Sequence, residues 1–331
     1  MAFPALSTAL STQRPAGVKK VYIKTGSEKW QTLGNIRNGE VKLSPYVTND
    51  TYQRNLSIDS YTFEAKFEML QTAVGELEKI DAICDGSNSF LFQLTDAGSI
   101  PTSVGVTEGW VIVSNTQVGV KAKYVTDGNP SSNQYVEIMI KGSLSSSEVD
   151  ACVKASIDDG DFHISTTASE TYSDNNSTAG GTIFGYYPDT TVGNNVGVLG
   201  NQKPNGFATV ELQDALATTY VTQGRVRNGK INAEWLAEED SIGRYNVYGI
   251  DLTVEYELLP TDAATLLLMN TANLTNTDVK ITLKDGKVFT IASALGFQIS
   301  FDNSGDFDKL RSMKVSHKGR ILTSQFDGMV A

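Results

Sequence analysis

Cysteine and histidine are scarce: the chain has two of each in 331 residues. Cys84 and Cys152 stand far apart without Cys-x-x-Cys spacing, which excludes a disulfide framework or a thiolate zinc site and leaves two buried thiols. His163 and His317 lie in different regions, so neither an imidazole triad nor a histidine metal site is expected. No run of about 18 apolar residues is present, which excludes a membrane-spanning helix. The opening Met1-Ala2-Phe3-Pro4-Ala5-Leu6-Ser7 lacks the basic and apolar regions of an export signal. Basic charge is also short: 27 Lys and Arg face 38 Asp and Glu, a net charge of -11 that repels a phosphate backbone and disfavours tight nucleic-acid binding.

Sequences that carry chemistry are missing as well. Lys284-Asp285-Gly286-Lys287 reads as a hairpin turn and does not complete a phosphate-binding loop. Asp302-Asn303-Ser304-Gly305-Asp306-Phe307-Asp308 begins like a calcium loop, but position six is Phe307 and position twelve is Met313, so it reads as a turn between strands, as does Asp158-Asp159-Gly160-Asp161. Glu238-Glu239-Asp240 reads as a solvated acidic stretch instead of an acid–base pair. The expectation is a protein that is not an enzyme, with no catalytic residues, no metal and no cofactor.

What is there is a duplication. Ile36-Arg37-Asn38-Gly39-Glu40-Val41 returns as Val226-Arg227-Asn228-Gly229-Lys230-Ile231. Phe67-Glu68-Met69-Leu70 recurs as Tyr256-Glu257-Leu258-Leu259, and Phe92 to Asp96 as Ile281 to Asp285. After one shift of register, Val136 to Gly142 aligns with Met313 to Gly319. Colinear blocks over copies this long mean tandem domains of one fold, not a solenoid. With 40% hydrophobic residues, each copy can bury a core of its own.

The same elements are expected in each copy: a short strand at Val21 or Val210, the Arg-Asn-Gly block as a tight turn, a polar stretch (45–59; 237–248), then a strand of strict alternation. Phe63, Ala65, Phe67 and Met69 oppose Glu64, Lys66 and Glu68; Val254, Tyr256 and Leu258 oppose Glu255 and Glu257. Helical spacing follows at Ala73, Val74, Leu77, Ile80 and Cys84 and at Ala263, Leu266, Leu267 and Met269, with Thr72 and Asp262 as N-caps. Strands are then expected at 90–95, 110–113, 118–124 and 136–140, and again at 279–283, 288–291, 297–301 and 313–316. The fold class is mainly β: two tandem β-sandwich or barrel domains, each with one lateral α-helix. Domains are read as an arm at 1–17, copy one at 18–144, an inserted polar segment at 145–207 and copy two at 208–331. Phe184 and Tyr186-Tyr187-Pro188 interrupt that insert, which is expected to be a decoration or a clamp held by packing.

The Asn38–Glu40 entry, the long polar stretch, the alternating strand into Phe67-Glu68-Met69-Leu70, the Leu94-Thr95-Asp96-Ala97 turn and the Val136–Gly142 strand together resemble phage tail tube proteins. The resemblance covers about 18–144 and 208–326. It implies a major tail tube subunit in a virion tail, assembled in the host cytoplasm. Family members form six-subunit rings that close a β-barrel around the DNA channel, and a duplicated chain resembles the trimeric, pseudo-hexameric variant. Partners implied are further copies of the chain, the tape measure, terminator and baseplate proteins, and DNA that passes without specific binding. Glu64, Lys66, Glu68, Glu255 and Glu257 become channel-lining candidates, with a negative wall expected to let DNA slide. Pro45, Asn49, Asp50, Glu238, Glu239 and Asp240 become candidates for loops that reach the next ring. Two other readings stay open: a head–tail connector, ring adaptor or decoration protein, and a carbohydrate-binding adhesin module suggested by the tandem sandwiches and Tyr186-Tyr187, for which Trp30 pairs with Tyr220 across the repeat while Trp110 and Trp235 have no clear aromatic counterparts.

Overall fold

The computed structural model describes residues 17–162 and 206–330 apart from short stretches, the longest being 50–55, 71–79, 127–133, 260–276 and 305–311. Thr72, Asp262, most of both expected helices, His163, Asp50 and the aromatics at 184–187 lie outside the described residues.

The first half runs β1 (Val18–Thr25), β2 (Gln31–Thr32), β3 (Ile36–Asn49), β4 (Leu56–Leu70), α1 (Ile80–Cys84), β5 (Asn88–Leu94), β6 (Gly105–Val106), β7 (Trp110–Val113), β8 (Val118–Val125), β9 (Tyr135–Ser145), α2 (Ser146–Val153) and β10 (Ser156–Ile157). The second runs β11 (Phe207–Asp214), β12 (Val221–Thr222), β13 (Arg225–Glu239), β14 (Tyr245–Leu259), β15 (Thr277–Leu283), β16 (Val288–Ile291), β17 (Gln298–Ser304), β18 (Ser312–Ile321) and α3 (Thr323–Asp327). The chain is mainly β. Each half holds a small sheet, β2-β1-β5-β7 or β12-β11-β15-β16, over a larger one. The larger sheets are not separate: they fuse into one eight-stranded sheet ordered β17-β18-β14-β13-β8-β9-β4-β3.

The period-two pattern acts as expected. Phe63, Ala65, Phe67 and Met69 on β4, and Val254, Tyr256 and Leu258 on β14, are all buried. They meet the small sheets, with Phe63 and Phe67 against Phe92 (ring centroids 5.8 and 6.4 Å apart) and Tyr256 against Phe207 (6.1 Å). Each such side chain contributes roughly 1.5–3 kcal/mol by burial. One apolar cluster spans both halves: Tyr124 of β8 stacks on Phe289 of β16 at 6.2 Å. Copies that read as two domains therefore share a core.

Several expectations change. Arg-Asn-Gly is not a turn but a β-bulge inside a continuous strand, at Arg37/Glu40 and again at Arg227/Lys230. Asn38 and Asn228 each take φ 53°, the only non-glycine residues with positive φ among those described. The glycine supplies room: a Cβ on Gly39 would lie 2.7 Å from the Val18 Cβ, and one on Gly229 would lie 2.3 Å from the Phe207 ring. The polar stretches 45–59 and 237–248 are largely strand, forming the ends of two long hairpins. Pro45 pairs with Tyr61 and Glu239 with Tyr245. Pro45 is tolerated because β3 is an edge strand. Asp302, Asn303 and Ser304 belong to β17, paired with Lys314, Met313 and Ser312, so the strand runs further than expected, and the rest of the expected turn lies outside the described residues.

Helix α1 contacts β8 and α3, which places it between the halves and not beside the first alone. The described residues that follow β9 pack on the first half: Ala155, Ile157 and Phe162 join Tyr22, Trp30 and Trp110 in a cluster on the outer face of its small sheet, so the chain stays part of the first half well past Leu144. Trp30, Trp110 and Trp235 are 1–2% exposed and offer no aromatic platform. Cys84 and Cys152 are buried and form no disulfide, and burial pushes the Cys152 thiol up to about 11.

Candidate assembly interface

The halves join by edge pairing, at Asn232↔Val125, Ala233↔Tyr124 and Glu234↔Lys123 between β13 and β8. Beyond those pairs the Ile231 N–H donates to the Thr126 hydroxyl at 2.6 Å, and the Thr126 N–H donates to the Ile231 carbonyl at 2.9 Å. Thr126 is fully buried, so its hydroxyl satisfies an amide that water cannot reach. Thr126→Val is expected to cost about 1–3 kcal/mol, the penalty of a buried orphaned amide, and urea unfolding with a downward midpoint shift at unchanged slope checks it.

The joint is head-to-tail. By the repeat, β13 corresponds to β3, and β8 corresponds to β17. The chain therefore pairs a β3-type edge with a β17-type edge internally and, among the described residues, leaves one edge of each kind open, at β3 and β17. Carrying the observed register across the repeat sets Lys42 opposite Ser304, Leu43 opposite Asn303 and Ser44 opposite Asp302. Pro45 follows at the position of Trp235, where the internal pairing stops.

A second contact reinforces the joint. Strand β14 reaches β8 and β9 although β13 stands between them, because the tip of the β13–β14 hairpin bends across the first half's sheet. The bend starts at the irregularity between Leu236 and Ala237, which β3 matches between Tyr46 and Val47. At the crossing a Cβ on Gly119 would sit 1.9 Å from the Tyr245 carbonyl oxygen, so only glycine fits. Lys121 lies 4.6 Å from the Tyr245 ring centroid, the Lys141 ammonium meets Glu239 at 2.7 Å, and Arg244 donates to the Thr116 carbonyl at 2.8 Å. The hydrogen bond to Glu239 holds Lys141 above its ordinary pKa. Asp240 is tied to Arg244 within the turn, and hydrogen bonds to Arg244 and Ile242 hold its carboxyl low despite partial burial. Of the acidic loop candidates in this hairpin, Glu239 and Asp240 are thus engaged inside the chain, while Glu238 is exposed.

The outer face of the eight-stranded sheet carries rows of alternating charge. Glu64 lies between Lys42 and Lys141 on its two neighbouring strands. Lys66 bonds Glu137 at 2.8 Å, Glu68 pairs with Arg37, and Lys230 bonds Glu255 at 2.6 Å. Glu257 is only 6% exposed, closed in by Arg227 at 2.7 Å and the Asn228 amide at 2.8 Å. Two corrections follow: Glu257 is bulge architecture and not open wall, and the face is of mixed sign and not negative. Cross-strand pairs of opposite charge stabilise a sheet by a few tenths to about 1 kcal/mol each, which explains the interleaving. Beneath Tyr245 this face holds a shallow depression lined by Glu40, Lys42, Glu64, Lys66 and Met139.

Among the described residues, no cluster of His, Cys, Asp or Glu could hold a metal ion, and no helix is long and apolar enough to cross a membrane. The joint itself was not read from the sequence, though one signal existed: Gly119 interrupts the alternating Val118–Val125 strand, as glycine does where another backbone comes close. No protein-family model and no curated protein sequence matches the chain.

Proposed function

We propose that the protein is a self-assembling structural subunit, a phage tail tube protein whose chains pair head-to-tail into trimeric, pseudo-hexameric rings that stack around a DNA channel. The observation that carries this reading is the internal β13–β8 joint together with two open edges of the same two kinds. A heterologous contact closes into a ring or runs on as a filament, and ring closure removes every exposed edge. The outer face of the large sheet becomes the channel wall in this reading. Its matched charges neither bind DNA tightly through counterion release nor repel it strongly. Tape measure, terminator and baseplate proteins are the partners the resemblance implies, in a virion tail.

Electron microscopy of the purified protein across a concentration series tests this. Hollow tubes or stacked rings with three-fold, pseudo-six-fold end views are expected. Unstacked rings would favour the connector reading, and monomers at every concentration would sink both. Leu43→Pro supplies the edge control. The Leu43 N–H corresponds to that of Ala233 and faces the open side of β3, so proline there removes a donor from the new pairing while sparing β4. Rings are expected to vanish while far-ultraviolet circular dichroism is retained.

A further inference from the structure

In the second half the bent hairpin tip lies on a neighbouring half, and its apolar residues Leu236, Ala237 and Val247 are half-buried there. The same positions in the first half are Tyr46, Val47 and Ile58, and they are 59%, 45% and 47% exposed, because no described residue covers this part of the β3–β4 hairpin. We infer that this hairpin is a clasp within the ring: its bent tip covers the β17–β18 face of a second copy of the chain, as the β13–β14 tip covers β8–β9 internally. The inference rests on the ring reading and redirects the hairpin, which family precedent sends to the next ring.

Two features argue for this occupant. The clasp continues an interface already present, since the edge that would pair with β17 is the base of the same hairpin. The residues are also scaled to it. Gly119 lets the internal tip touch β8, whereas the sequence has glutamine and not glycine at the matching position 298 of β17. All three apolar residues are correspondingly larger than their counterparts: Tyr46 for Leu236, Val47 for Ala237, Ile58 for Val247. The polar tie changes too. Asn49 stands where Glu239 meets Lys141, and Lys318 where Lys141 does, so the contact between chains relies on apolar burial more than on charge.

The test is Val47→Asp with Ile58→Asp, compared with wild type by mass photometry and electron microscopy. Both side chains are half exposed in the single chain and lie opposite each other on β3 and β4, so the two carboxylates are expected to lower the thermal midpoint of the monomer only slightly. The concentration needed for ring formation is expected to rise by at least about tenfold, as burying unpaired charge at a contact demands. Normal rings that no longer stack would overturn the clasp and assign the hairpin to the next ring. Unchanged tubes would overturn it outright. Failure of the ring reading is seen separately, as wild-type protein that never assembles and does not respond to Leu43→Pro, and the clasp falls with it.

Discussion

Gly229→Ala is expected to destabilise the fold by about 3 kcal/mol, at the upper end of what overpacking costs. The new Cβ would lie 2.3 Å from the Phe207 Cγ and 2.4 Å from its Cδ2, inside any real carbon contact. Phe207 cannot swing away easily, because its ring is 5% exposed and packs on Tyr256. Backbone strain is not the cause, since positive φ falls on Asn228 and not on the glycine. The first half supplies the comparison. Gly39→Ala meets the smaller Val18 at 2.7 Å, so its penalty is expected to be smaller. Phe207→Val installs the first half's partner and should cost less in the Gly229→Ala background than alone. Urea unfolding of the four proteins measures that coupling. Simple additivity would mean that the two sheets do not press together at this point.

A second large effect is expected in acid. His317 is 1% exposed, its Nε2 lies 3.0 Å from the Tyr256 hydroxyl, and its Nδ1 has no hydrogen-bond partner. Burial pushes its pKa down to about 4 from the ordinary 6.5. Between those values the unfolded chain binds a proton that the folded chain refuses. Stability is therefore complete above pH 6.5 and falls as the pH drops towards 4, by about 3 kcal/mol in all at 1.36 kcal/mol per pH unit. The first half has Phe67 and Ile140 at the positions of Tyr256 and His317. Tyr256→Phe with His317→Ile, which removes both polar groups together, is expected to abolish this part of the acid sensitivity. Urea unfolding at pH 7 and pH 4.5 compares the two proteins, and equal losses would show that His317 is not the source. The surface carboxylates titrate alike in both and cancel in the difference.

Local pattern made much of the fold legible. The alternation along β4 and β14 named the buried residues, because a strand's side-chain period is a property of its own backbone. The repeat fixed matching strands in each half, and Asn-Gly marked positive φ. The bulge was misread as a turn, since the same dipeptide serves both and only the crossing of Val18 or Phe207 above the glycine distinguishes them. The polar stretches at 45–59 and 237–248 were read as loops because strands with both faces wet lack alternation. Of the wall candidates, Glu64, Lys66, Glu68 and Glu255 lie on the outer face of the large sheet, whereas Glu257 is closed in by Arg227 and Asn228.

By itself the sequence determined the duplication, most of the strands, their buried faces and the positive φ at the Asn-Gly sites, all of which follow from side-chain size and polarity read over a few residues. Which edges meet was decided only in three dimensions. Backbone hydrogen-bonding groups are alike at every edge, so no short pattern says that β13 takes β8 and leaves β3 and β17 open. The buried hydroxyl of Thr126 at the joint and the glycine beneath Tyr245 acquire meaning only when segments more than a hundred residues apart in sequence are brought side by side, and the matching of charges only when the strands that carry them are paired.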